Sequence, residues 1–475
     1  MLSSLLFLPA VLCLLLALSI ARLVRSLANS PNGSIPGPAL ARFTNAWYLW
    51  QMRRGDFHRT NIKLHQQNGP VVRIAPQYFS ISDPSAAWNV TPDLNLTNLF
   101  SERVSQRHAE NRRKVASMYS MSSLVAYEPY VDNCIAVFKQ RLDEIAAQDK
   151  TVDMARWLQC YAFDVIGEIT FGSRFGFLDA GNDVGGVMKT IEDGLATSSY
   201  LGLYPWIYPF YLRILGYLGQ GLSYVNEFSL RHIQETRAAM KGSREDLPSH
   251  MAMKLVQAQS ENPHRISDWD ILTTAGANVG AGSDTTAISL SSTLYHLYRN
   301  PHCLVKLREE IESAGIGAHT PAFRSTQEMP YLQAVLKEAL RVHPGTGFPL
   351  FRVVPKGGQV LAGQFFPGGV NVGINSWVLH YDTTIYGADA SSFRPERWLE
   401  ADEEQLQFME QNYMPFGVGS RTCLGKNISL LEMGKLVPVL VRDYDFEIQG
   451  EGDWKARNWW FVKPVDFWVR VMKRD

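Results

Sequence analysis

The segment Pro415-Phe416-Gly417-Val418-Gly419-Ser420-Arg421-Thr422-Cys423-Leu424-Gly425 sets one cysteine in a glycine-rich turn, two residues after an arginine and just before a helix-like run. Gly417 and Gly419 permit backbone angles, and a close approach to a flat ligand, that a side chain forbids. Amides around Cys423 can hydrogen-bond its sulfur, and the N-terminus of the following helix, near Leu424 to Lys426, favours thiolate over thiol. Arg421 is placed to meet an anionic group at the ligand's edge. Thiolate, flat ligand and peripheral anion together describe an iron-thiolate pocket of the kind that holds haem. The bland alternative for a lone cysteine beside one glycine is a buried structural thiol; two spaced glycines, the arginine and Gly425 argue against it.

A second constellation, Ala281-Gly282-Ser283-Asp284-Thr285-Thr286, places a carboxylate and a hydroxyl side by side after two small residues, which leave room for a diatomic ligand. Thr285 and Gly282 can loosen local helical hydrogen bonds and admit water. Breaking the O–O bond of dioxygen takes two electrons and two protons, and a buried alcohol fed by an acid delivers protons without opening the site. Small residues and threonines in a helix also serve plain packing. Glu338 and Arg341 are three apart in a helical stretch and share a face, which on a surface means a weak ion pair. His108 and Arg112 are four apart and face one way near the start of an early helix. Arg113 and Lys114 read as surface charge, or with Lys426 as a patch for an acidic partner.

The Cys423 turn resembles the haem-binding signature of the cytochrome P450 superfamily at every fixed position. The resemblance implies a mainly α fold with small β-sheets, the cytochrome P450 fold, over residues 40–475. It implies Cys423 as the haem-iron ligand within the Gly417 and Gly425 turn, Phe416 packed beside the sulfur, and Arg421 paired with a haem propionate. His108, Arg112 and Arg352 are further propionate partners; most family members have tryptophan where His108 stands. Asp284 and Thr285 match the family's oxygen-activation motif, with Thr285 organising the proton relay and Asp284 supplying protons. The segment Phe393-Arg394-Pro395-Glu396-Arg397-Trp398 matches the one that adds a second arginine to the Glu338–Arg341 pair, so Glu338, Arg341 and Arg397 form a buried triad holding the loop before Cys423.

The runs from Cys423 to Met433 and from Asp443 to Glu447 are similar to filamentous-fungal enzymes of the pisatin-demethylase-like group, many of which tailor secondary metabolites. The implied activity is insertion of one oxygen atom from O2 into a lipophilic small molecule. Electrons come from NADPH through a separate NADPH-cytochrome P450 reductase, with cytochrome b5 as an optional further partner, and no flavin or nicotinamide fingerprint is visible in this chain. Two alternatives stay open: a haem-thiolate isomerase or dehydratase needing no external electrons, and a non-catalytic haem-binding protein. Pocket residues by position are 98–100, Ala277, Ala281, Thr346, Phe348 and Pro349, mostly apolar.

The elements that must position these groups are mainly helical. Apolar periodicity predicts helices over 101–117, 124–147, 268–300, 304–313, 331–342 and 426–441. Short strands are predicted over 71–75, 78–82, 359–361, 370–373, 459–462 and 467–471. With 475 residues, 46% of them hydrophobic, and no linker, repeat or low-complexity tract after the first forty, one large domain fits. The 46 basic and 46 acidic residues cancel, which leaves no bulk attraction to nucleic acid. Five scattered cysteines without CxxC spacing argue against a disulfide framework and a zinc site, and fit a reducing compartment. Sequons at Asn32, Asn89, Asn95 and Asn427 read as unused, since Asn427 sits four residues after the proposed iron ligand.

Leu2 to Ala21 is an uncharged apolar run followed by Arg22 and Arg25, long enough to span a bilayer. Charge after the run marks a signal anchor that leaves the remainder cytosolic, so residues 1–25 read as a single-pass anchor in the endoplasmic reticulum membrane. Residues 26–39, with Ile35-Pro36-Gly37-Pro38, form a stiff hinge. The aromatic stretch 200–218 either dips into the lipid headgroup layer beside a substrate entrance or is an ordinary core-facing loop.

Overall fold

A computed structural model describes residues 33–83, 99–100, 102, 104–207, 210, 221–240, 250–450 and 454–474, together with Ala21. The expected anchor therefore lies outside the described residues. Among those described, no helix is long and apolar enough to cross a membrane. The chain falls into two compact units, one within Met1–Pro92 and Phe348–Leu379, the other within Asp93–Gly347 and His380–Asp475.

The first unit is built on a four-stranded sheet. Its strands are β1 (Val71–Ala75), β2 (Tyr78–Ile81), β4 (Leu350–Val353) and β7 (Asn371–Ile374), in the order β1-β2-β7-β4. β2 runs parallel to β7, with Phe79 opposite Val372, and the other pairs are antiparallel. The helices Ala46–Arg54 and Phe57–Asn68 supply Tyr48 and Phe57, which meet edge to face with ring centroids 4.7 Å apart. A hairpin of β5 (Gln359–Leu361) and β6 (Gln364–Phe366) completes the unit. Part of the expected hinge is docked here: Ile35 is buried, and Pro36 O accepts from Arg73 N at 2.8 Å. Gly37, at φ +154°, passes so close that a Cβ would sit 2.3 Å from Arg73 O.

The second unit is helical around Asp268–Arg299, which matches the predicted 268–300 helix. Ser267 begins it with a reciprocal cap: Asp270 N donates to Ser267 Oγ at 3.1 Å, and Ser267 N donates to Asp270 Oδ2 at 2.9 Å. Its main neighbour is Met154–Phe171, a helix that periodicity does not predict. Every residue from Cys160 to Phe171 is buried, so no polar face marks the helical period. Gly282 lets the two helices approach, since a Cβ there would meet Ile166 at 3.1 Å. The expectation that Gly282 loosens the helix is thus corrected: the helix is continuous, and the glycine serves packing.

Other helices keep their predicted places with shifted ends. The 101–117 prediction shortens to Ser105–Val115, and 124–147 to Glu128–Ala147, where Pro129 occupies the first turn. The 304–313 helix starts earlier, at Pro301, and the others are Pro330–Val342 and Lys426–Asp443. A three-stranded sheet orders β3 (Thr151–Asp153), β11 (Trp468–Lys473) and β8 (Tyr444–Ile448) as β3-β11-β8. The strand expected over 459–462 is instead a hairpin corner: β9 (Lys455–Trp459) turns at Trp460, φ +81°, into β10 (Phe461–Val465).

Candidate haem-thiolate site

The Cys423 turn is closed by its own backbone. Cys423 N donates to Phe416 O at 2.8 Å and Gly417 N to Met414 O at 3.1 Å, while Gly417 and Gly419 stand at φ +67° and +71°. Only glycine takes such angles without strain. The backbone N–H groups of Gly425 and Lys426, where the Lys426–Asp443 helix begins, pull the Cys423 thiol pKa down. Cys423 is the one exposed free cysteine among the described residues; Cys134, Cys160 and Cys303 are buried. Desolvation pushes the thiol pKa up, against those amides and the charges of Arg112 and Lys426. A metal cation at the sulfur reverses that balance.

Around the turn gather three of the expected peripheral donors. Arg112 Nη1 donates to Thr422 O at 2.9 Å, tying the Ser105–Val115 helix to the residue beside Cys423. Arg421 Nη1 donates to Glu102 O at 2.5 Å. His108 is buried, and desolvation together with Arg421 and Arg112 lowers its pKa to about 4, so it is a neutral donor near neutral pH. Glu102, which no sequence pattern singled out, is buried and paired with Arg107 at 3.2 Å. Arg352 belongs to the first unit, where its guanidinium donates to Phe351 O at 2.8 Å. Lys114, read as surface charge, is paired with Asp270 at 2.9 Å. Asn427 Nδ2 donates to Tyr119 O at 3.0 Å.

Asp284 and Thr285 lie on different sides of the long helix. Asp284 is 1% exposed: Gln159 Nε2 donates to Oδ1 at 2.5 Å, and Lys463 Nζ, on β10, lies 2.9 Å from Oδ2. Lys463 also reaches Glu192, at 3.9 Å. Thr285 Oγ1 donates to Ala281 O at 2.7 Å, and Ala277, Ala281 and Thr285 follow one another at four-residue steps along the less buried face. Next to it, the Thr286 hydroxyl lies 3.0 Å from Ser429 Oγ, 143 residues later and on the helix that follows Cys423. Lys463 and Gln159 were not legible as partners, for both come from distant segments.

The Glu338 group is assembled as expected. Arg341 donates to both oxygens of Glu338 at 2.8 and 2.7 Å, and Arg397 Nε to Oε1 at 3.0 Å. Trp398 Nε1 and Arg394 N fill the remaining positions at 2.9 and 3.0 Å. A further link runs through His380. Its Nδ1 donates to Arg341 O at 3.0 Å, and its Nε2 accepts from Met414 N at 3.0 Å, which joins the triad to the start of the Cys423 turn.

A helical unit that presents an accessible cysteine from a closed turn at a helix N-terminus, with cationic or neutral donors beside it, fits a thiolate-ligated, doubly anionic flat cofactor. The comparisons agree. The cytochrome P450 family profile matches residues 77–466, and the chain belongs to that family. It is 40% identical to a pisatin demethylase of Fusarium vanettenii, over 90% of this chain and 87% of that one. It is 36% identical to cytochrome P450 monooxygenase cicH of Emericella nidulans, over 93% and 94% of the two chains. A third relative, cytochrome P450 monooxygenase gsfF of Penicillium aethiopicum, is 33% identical over 94% of each chain. The cofactor of this family is haem.

Proposed function

We propose that this protein is a membrane-anchored haem-thiolate monooxygenase that inserts one oxygen atom from O2 into a lipophilic small molecule of fungal secondary metabolism. The overall balance is substrate C–H plus O2, two electrons and two protons to C–OH plus water. Electrons pass from NADPH through a separate reductase. Haem supplies the binding and stepwise reduction of dioxygen. Cys423 holds its iron through the thiolate, Phe416 covers the sulfur, and the amides of Gly425 and Lys426 moderate its charge. Arg112 and Arg421 neutralise the propionates and neutral His108 donates a hydrogen bond to one, with Arg352 as a further candidate. Thr285 presents its hydroxyl from the less buried face, and Asp284 moves protons toward it from a position sealed against bulk water. Glu338, Arg341 and Arg397 hold the loop.

One observation carries this reading: the buried acid Asp284 is paired at 2.9 Å with Lys463, whose side chain is 18% exposed, which supports a link from the acid toward solvent. A sensor or carrier needs no such route, and an isomerase needs no external protons of this kind. The uncharged run 2–21 and arginines after it support an anchor with the catalytic part cytosolic. Trp206 and Phe210, 70% and 62% exposed, support contact of their segment with the headgroup layer. Demethylation, the reaction the Fusarium relative is named for, belongs to the same chemistry: hydroxylation of a methyl group on oxygen releases formaldehyde.

The test is spectroscopic and kinetic. The reduced carbonyl complex should absorb near ~450 nm, and Cys423→Ala should lose that band. With reductase, product should form only when NADPH and O2 are both consumed; product formed without NADPH would sink the proposal. Comparing metabolites of the source organism with this gene present and deleted identifies the substrate as the precursor that accumulates. For the membrane dip, an anchor-deleted chain should bind liposomes less after Trp206→Ala; unchanged binding rejects it.

A further inference from the structure

Apart from the Cys423 turn, three side chains of different ligand chemistry meet where the Pro301–Ser313 helix begins: His302, Cys303 and Glu396. One ligating atom of each lies within 4.8 Å of the other two, and Cys303 Sγ is 3.2 Å from His302 Nε2. Cys303 is fully buried and Glu396 is 8% exposed, while His302 faces solvent and gives an ion a way in.

The two oxygens of Glu396 are used unequally. Oε1 accepts from Lys306 Nζ at 2.7 Å and from Tyr331 Oη at 2.9 Å. Oε2 is buried and has no hydrogen-bond partner. A buried carboxylate oxygen in that condition is costly, and a cation beside it removes the cost.

We propose that His302 Nε2, Cys303 Sγ and Glu396 Oε2 bind one zinc ion, with water as fourth ligand. Tetrahedral zinc holds such ligands at about 2.0–2.3 Å, which sets them roughly 3.4–3.6 Å apart. The observed separations need only side-chain adjustment to reach that. Mixed nitrogen, sulfur and oxygen donors suit zinc; calcium and magnesium require oxygen alone. On binding, the Cys303 thiol loses its proton to solvent, and the imidazole binds neutral. Tyr331 and Lys306, which both donate to Glu396 Oε1, are the outer partners that orient that ligand. The site does not depend on the oxygenase reading. Its effect is mechanical, since Glu396 precedes Arg397, whose guanidinium grips Glu338, and zinc ties that segment to the 301–313 helix.

Untagged, haem-loaded protein in chelator-treated buffer, titrated with zinc chloride and examined at the zinc absorption edge, separates this metal from haem iron. Expected is one zinc per chain, with one sulfur at about 2.3 Å and nitrogen or oxygen at about 2.0–2.1 Å. His302→Ala, at an exposed position, should weaken binding at least about tenfold, and Cys303→Ala should remove the sulfur neighbour, both with haem content unchanged. The proposal is overturned if the unmodified protein takes up no zinc, if its zinc has no sulfur neighbour, or if both variants bind zinc as it does.

Discussion

Glu338 has both oxygens filled by donors from two arginines, an indole and a backbone amide, whereas Asp284, similarly buried, is held by one amide side chain and one lysine. Two further differences matter. Arg341 and Arg397 are 0% and 2% exposed at their side chains, while Lys463 is 18% exposed and also faces Glu192. A guanidinium fork is fixed and keeps its protons; an ammonium on a flexible stem can exchange partners and protons. The first carboxylate is thereby a fastener, while the second keeps a partner that can exchange, as the proposed acid requires.

Breaking the fastener has the largest expected effect. Glu338→Ala strands two buried guanidinium groups, at a cost of about 3–5 kcal/mol, a large share of the stability of any domain. We expect little soluble protein and none with haem; a soluble Glu338→Ala protein with full haem content would refute the assignment.

At Asp284 the damage should fall on turnover and spare the fold. Asp284→Asn keeps the hydrogen bond from Gln159 and should load haem normally, yet lower product formation by roughly 10²- to 10⁴-fold, the usual worth of a positioned acid. Loss of haem in this variant would move Asp284 into the structural class with Glu338. Lys463→Met sharpens the distinction. It leaves the acid in place but cuts its link to Glu192, so a smaller loss, of about tenfold, is expected, with a shifted pH–rate profile. Lys463→Arg should restore most of the activity. If methionine and arginine behave alike, Lys463 only fills space.

Legibility in the sequence followed the same divide between local and distant. The Cys423 turn was readable because its glycines, arginine and cysteine lie within one short segment, and each has a separate local reason to be there. The Glu338–Arg341 pair was readable as a helix repeat, and Arg397 only through family resemblance. Trp398, Gln159, Lys463 and His380 were not, because a partner from a remote segment leaves no spacing behind. The Met154–Phe171 helix was missed for a different reason: uniform burial erases the polar–apolar rhythm that reveals a helix. At Gly282, composition alone could not separate a loosened helix from a close crossing with Ile166.

The smallest effect is expected at His380, where the fastener meets the turn. Its Nε2 accepts from Met414 N while its Nδ1 donates to Arg341 O, so a second ring proton would face an amide proton. Desolvation first, and the Arg341 charge second, lower its pKa to about 3. An unfolded histidine titrates near ~6.5. Between these values the unfolded chain binds the extra proton and the folded one does not, so stability falls as pH drops through this window. His296, also lowered to about 3, adds the same sign. Melting temperatures measured at pH 7.5 and 5 should therefore differ more for the unmodified protein than for His380→Gln, which has no proton to gain. Equal pH dependence in the two would show that the ring is not held neutral, and that the triad and the Cys423 turn are not joined through it.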